Sequence, residues 1–166
     1  MFYFAYGSNL SSVRLQGRVP SACLVGCFYL KEHKLKFHKL SKDGSGKADS
    51  HYTGNSSDIV YGAVYEIRLD EKPTLDKVEG FNHGYDEKEV VVYSVDGSKI
   101  TACTYVAEIE SIDTSLIPYS WYLNHVLIGA REVGLPDSYI DNIIVDVKTV
   151  KDSNAKRRAK EFAIHS

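Results

Sequence analysis

Apolar and polar positions change period several times along the chain, and each change marks an element. Residues 2–5, Phe-Tyr-Phe-Ala, are a short apolar run that reads as a buried strand. Gly7, Ser8 and Asn9 break it. Leu10 and Val13 then suit a short helix over 10–16, capped by Asn9 or Ser11 and ended by Gly17 and Pro20. Residues 22–31 read as a strand. In 33–40, Leu35 and Phe37 alternate with Lys34 and Lys36, the pattern of a half-buried strand. Over 41–58 the composition turns to Ser, Gly, Asp, Asn and Lys, which reads as a long polar loop of the kind often used functionally.

Residues 59–69 return to a strong strand pattern. Asp70-Glu71-Lys72-Pro73 then looks like an acidic cap with proline in the first turn, opening a helix to about Val78 that Gly80 stops. Two β runs, 88–95 and 99–107, flank the hairpin pair Asp96-Gly97. Residues 119–133 read as a helix with apolar contacts from Tyr122, Val126, Ile128 and Ala130, closed by Gly134 and Pro136, and a second helix is expected over 136–144. The polar piece 151–166 reads as a peripheral tail on a domain spanning 1–150. Strands joined by hairpins and interleaved with few helices predict an α+β fold with a mostly antiparallel sheet. About seven strands are enough to curl into a barrel, although period alone does not show closure.

Composition narrows the functional classes. At 166 residues the chain fits one domain with a sizeable core. A net charge of -2 leaves no broad electrostatic footprint for nucleic acid. The basic run Lys156, Arg157, Arg158, Lys160 reads as a solvated helix end rather than an interaction tail. The cysteines Cys23, Cys27 and Cys103 are odd in number, form no CxxC pair and lie in apolar runs. They read as reduced core thiols, hence a reducing, cytoplasmic setting. No signal peptide and no membrane-spanning run is apparent. The 12 tyrosines are many for this length. Each buried hydroxyl needs a partner, so several are expected to line a pocket or interface.

Two short stretches can carry chemistry. At Tyr6-Gly7-Ser8-Asn9 a strand ends and a helix begins, so consecutive backbone N–H groups can face one cavity, a geometry that suits a carboxylate or oxyanion. The plainer reading is a capped βα turn. Glu79 falls at the end of a helix, where the dipole disfavours its charge. In an apolar site its pKa would rise, as a general base that must return its proton requires. Gly80 and Gly84 bracket an aromatic turn beside it. Other chemistries find little support. The 6 histidines show no metal motif, and His33 and His38 should face opposite sides of a strand. No GxSxG is present, and Gly44-Ser45-Gly46-Lys47 lacks the context of a phosphate loop.

Taken together, Tyr3 through Leu10, Tyr61-Gly62-Ala63-Val64-Tyr65, Leu75 through Gly80, Gly84-Tyr85, Ile100 through Tyr105, and Tyr122 with Gly129 through Pro136 resemble the γ-glutamylcyclotransferase (AIG2-like) superfamily over roughly residues 2–140. The resemblance implies a mixed, mostly antiparallel β-barrel with flanking helices. It also implies release of 5-oxoproline from a γ-glutamyl amine or amino acid, with no cofactor or metal. By the same matching, Glu79 is the acid/base. Tyr3, Tyr6, Gly7, Ser8, Asn9, Leu10, Tyr85 and Tyr122, with Tyr105, bind the substrate. The implied partner is a small molecule, with neither nucleic acid nor membrane, on a monomer or homodimer. Superfamily members differ in the amine they release, so the leaving group stays open. The alternative is a non-catalytic module binding a small amino-acid-like ligand on the same fold. A buried, uncompensated Glu79 argues against it.

Overall fold

The computed structural model describes residues 1–166. The chain forms β1 (Phe2–Ala5), β2 (Cys23–Lys31), β3 (His33–Leu40), β4 (Gly46–Tyr52), β5 (Ile59–Glu66), β6 (Tyr85–Tyr93) and β7 (Lys99–Ala107). Five of these close a barrel in the order β1-β5-β2-β6-β7, and β3 and β4 form a separate two-stranded sheet. Every barrel pairing is antiparallel except β1 with β7, which meet in parallel at Tyr3 and Cys103, so the barrel is mixed. Phe4, Val60, Val64, Tyr65 and Val92 are completely buried in its core. Burying side chains of this size stabilises by about 1.5–3 kcal/mol each. At Gly62 a Cβ would lie 2.4 Å from the Ala5 carbonyl oxygen, so β1 and β5 approach this closely only because glycine stands there.

The polar stretch 41–58 is not one loop. Its centre is β4, which pairs antiparallel with β3 from His33↔Tyr52 to Leu40↔Gly46. A one-residue register shift between Lys36 and Lys39 bulges β3. That bulge resets the alternation, so His33 and His38 are both buried rather than divided between a covered and an open face. The strand expected over 59–69 stops at Glu66, and the one expected from residue 88 begins at Tyr85. The core-thiol reading holds only for Cys103, whose thiol burial pushes up to about 12; Cys23 is exposed and Cys27 half-buried.

The helices are α1 (Ser12–Gln16), α2 (Lys72–Glu79), α3 (Ser120–Val133), α4 (Asp137–Tyr139) and α5 (Ala155–Phe162). The helix expected over 10–16 is divided: a 3-10 turn at Ser8–Leu10 precedes α1, and the Ser11 side chain caps the latter. Leu10 and Leu15 are buried, whereas Val13 faces solvent. The helix expected over 136–144 is one α turn that widens into a π-helix over Ile140–Val145. α3 lies directly on the Ser8–Ser11 turn. A Cβ at Gly129 would stand 2.2 Å from the Ser11 nitrogen, so this helix meets bare backbone.

The C-terminal helix buries no residue of its own but is tied to the body by charge. Arg14 donates to Glu161 at 2.6 Å, His125 Nε2 lies 2.9 Å from the same carboxylate, and His125 Nδ1 is 2.7 Å from His165. Bonding to His125, then the nearby Arg14, holds Glu161 down at about 2, against an ordinary 4.5. Burial pushes the fully buried His125 below its ordinary 6.5. Both signs agree. The native state resists protonation of each group, so stability present at neutral pH is lost as pH falls, first through the histidine range and then from 4.5 toward 2. Urea midpoints should therefore fall on acidification, and Glu161→Gln should flatten the segment below pH 4.5 while lowering the midpoint at pH 7.

Candidate active site

β1 ends at Ala5, where Gly7 turns the chain into the 3-10 turn that follows. A Cβ at Gly7 would lie 3.0 Å from the Ala48 methyl and 3.2 Å from the Tyr122 hydroxyl, so glycine lets the turn close on both. α2 reaches the same place from the other side. Its last residue is Glu79, and Gly80 ends it in the left-handed conformation, φ 78°. The two segments converge on a recess lined by Tyr3, Tyr6, Gly7, Ser8, Asn9, Ala48, Glu79, Tyr85, Tyr105 and Tyr122.

Glu79 Oε1 accepts hydrogen bonds from the Asn9 amide and from the Tyr3 hydroxyl, the latter at 3.3 Å. Asn9 Nδ2 also reaches Tyr3 Oη at 3.3 Å, and its Oδ1 accepts from Arg18 at 2.9 Å. Enclosure of the carboxyl group pushes the Glu79 pKa up. Arg18, the Tyr3 hydroxyl, Arg14 and Lys39 pull it part of the way back. The result is a carboxylate whose charge is costly but not forbidden.

The tyrosines are satisfied one by one. Tyr6 donates to the Tyr105 carbonyl, Tyr105 to Asp76 at 2.5 Å, and Tyr85 to the Ala48 carbonyl at 2.5 Å. Tyr122 accepts from the Ala48 N–H at 3.0 Å. Burial raises the pKa of Tyr3, Tyr6, Tyr85, Tyr105 and Tyr122, so these walls stay neutral hydroxyls.

This recess sits in a barrel with known counterparts. The AIG2-like family model matches residues 59–143. A γ-glutamylcyclotransferase from Bos taurus is 34% identical over 146 residues, covering 82% of this chain and 73% of that protein. One from Homo sapiens is 32% identical over 149 residues, covering 85% and 76%. The chain belongs to the γ-glutamylcyclotransferase family. A solved structure described as a γ-glutamyl cyclotransferase superposes with a TM-score of 0.84 at 27% identity, covering 96% of this chain and 95% of that one. The protein is an enzyme of the γ-glutamylcyclotransferase type, and no helix in it is long and apolar enough to cross a membrane.

Among the residues singled out in this γ-glutamylcyclotransferase-type chain, Tyr3, Tyr6, Gly7, Ser8, Asn9, Glu79, Tyr85, Tyr105 and Tyr122 share the recess. Leu10 does not. It is fully buried under α3, and its carbonyl accepts from Tyr65 at 2.8 Å. Ala48 and Arg18 were missed. Ala48 lies in the segment read as a loop, and its backbone holds two wall tyrosines. Arg18 follows the helix stop at Gly17 and carries no local pattern that points to Asn9.

Proposed function

We propose that the enzyme cyclises a γ-glutamyl amine or γ-glutamyl amino acid to 5-oxoproline. The α-amine of the glutamyl group attacks its own γ-carbonyl carbon. A new C–N bond forms, the bond to the distal nitrogen breaks, and that nitrogen leaves as an amine. Ring closure is intramolecular, so the protein needs mainly to fold the substrate and move protons. The attacking nitrogen gives up two protons on going from ammonium to lactam N–H. Glu79 takes one to free the lone pair and passes it to the departing nitrogen, and the second, lost as the ring closes, leaves on the product amine as its ammonium form. The amides of the Gly7–Asn9 turn face the glutamyl group and the charge that develops on the carbonyl oxygen, and the neutral tyrosines form the walls around it.

One observation carries this reading: in a chain of this family, a half-buried carboxylate with an upward-shifted pKa meets Asn9 and Tyr3 inside the recess. The test is incubation with a panel of γ-glutamyl amino acids, γ-glutamylamines and glutathione, with 5-oxoproline measured. Release from at least one γ-glutamyl amine or amino acid is expected. Binding of panel members without any 5-oxoproline would overturn the reading in favour of a ligand-binding module.

A further inference from the structure

The β3–β4 hairpin brings together three side chains that the recess does not use. Asp49 and His51 are two apart on β4 and so project from the same face. His38, redirected by the bulge in β3, reaches across to them. His38 Nε2 lies 2.8 Å from Asp49 Oδ2, and His51 Nδ1 lies 3.9 Å from the same oxygen. One donor atom from each residue falls within 4.8 Å of the others.

We propose that His38, Asp49 and His51 bind a divalent transition-metal ion of the zinc type, which clamps β3 to β4. Tetrahedral zinc with nitrogen and oxygen ligands places neighbouring donors about 3.3 Å apart. The two measured separations bracket that spacing, each within roughly half an ångström of it, and every donor atom starts within 4.8 Å of the others, so side-chain rotation alone can gather them. Two imidazoles and one carboxylate are a donor set for a borderline first-row ion rather than for calcium or magnesium, which prefer all-oxygen shells. The outer shell is built as well. Asp49 Oδ1 accepts the Ala107 N–H at 2.8 Å, which fixes the carboxylate and ties it to β7. Access is open, because the His51 side chain is 45% exposed and His38 and His51 line a surface groove. Lys36 and Lys148 border that groove and hold the affinity to a moderate level. A bound ion would stiffen the strand whose Ala48 backbone holds Tyr85 and Tyr122, one residue from Asp49.

The experiment is calorimetric titration of metal-stripped protein with zinc chloride, with thermal midpoints read in parallel. Wild type should take up one ion per chain, and its midpoint should rise with zinc by several degrees. His51→Ala, at an exposed position, should keep the fold and bind at least about tenfold more weakly, with the zinc-dependent rise lost. Cobalt(II) in place of zinc should give ligand-field bands without a thiolate charge-transfer band. Absence of uptake, equal affinity in His51→Ala, or a thiolate band placing the ion on Cys23 or Cys27 would each overturn the proposal.

Discussion

Glu79→Gln is expected to reduce 5-oxoproline release by about 10³-fold, within the usual contribution of a positioned acid/base. That factor corresponds to about 4 kcal/mol of lost transition-state stabilisation. The glutamine oxygen can still accept from Tyr3 and Asn9, so substrate affinity should change by no more than a few-fold. Stability separates this outcome from a folding defect. The native pKa of Glu79 is raised above its ordinary 4.5, so the native state holds the proton more tightly than the unfolded chain. The stability this gives is full below 4.5 and is lost as pH rises through the raised value. At pH 7 the wild-type carboxylate is therefore a liability, and the neutral amide should leave the thermal midpoint unchanged or higher. Activity retained in this variant would remove Glu79 from the chemistry. Activity lost together with a lower midpoint would make its role structural.

How much of this was legible before coordinates depends on range. β1, β5 and the β6–β7 hairpin have dense β-branched and aromatic residues and a turn pair between them, and local period found them. β4 escaped because Gly46-Lys47-Ala48-Asp49-Ser50-His51 has little β propensity. Its buried Asp49 is paid for by partners far along the chain, His38 and the Ala107 N–H, which no window of neighbours contains. The bulge at residues 37–38 has the same origin, since one inserted residue is invisible to a period-two reading until the partner strand is known.

The site shows the same division. That Glu79 ends a helix follows from Gly80, and that the chain turns at Gly7 follows from the glycine and the polar pair after it. That Asn9 and Glu79, 70 positions apart, touch each other does not follow from either segment alone. Only the family resemblance joined them. Leu10 is the opposite case. The motif drew it into the binding set, whereas in the fold it lies under α3, outside the recess, where its apolar side chain stabilises the turn.

Gly129→Ala should be strongly destabilising and should also impair turnover. The added carbon would lie 2.2 Å from the Ser11 nitrogen and 2.4 Å from the Leu10 carbonyl carbon. Both are backbone atoms, so no side-chain rotation relieves the clash, and α3 must move away from the turn. Overpacking of this kind costs about 1–3 kcal/mol, which for a chain of this size lowers the thermal midpoint by roughly 2–12 °C. Tyr122 lies two helical turns before Gly129 on the same face of α3, and its hydroxyl accepts from Ala48 at the recess. Any shift of α3 therefore moves a recess wall relative to Glu79, and kcat should fall even at temperatures where the variant is folded. Gly97→Ala supplies the comparison. Gly97 has φ 88° in an exposed turn, and a Cβ there would meet nothing within 4 Å. Only backbone strain is at stake at that position, about 1 kcal/mol, and activity should be untouched. Thermal denaturation and 5-oxoproline release measured on both variants decide the matter. A Gly129→Ala protein that melts with the wild type and turns over at its rate would show that α3 does not hold the Ser8–Ser11 turn in place.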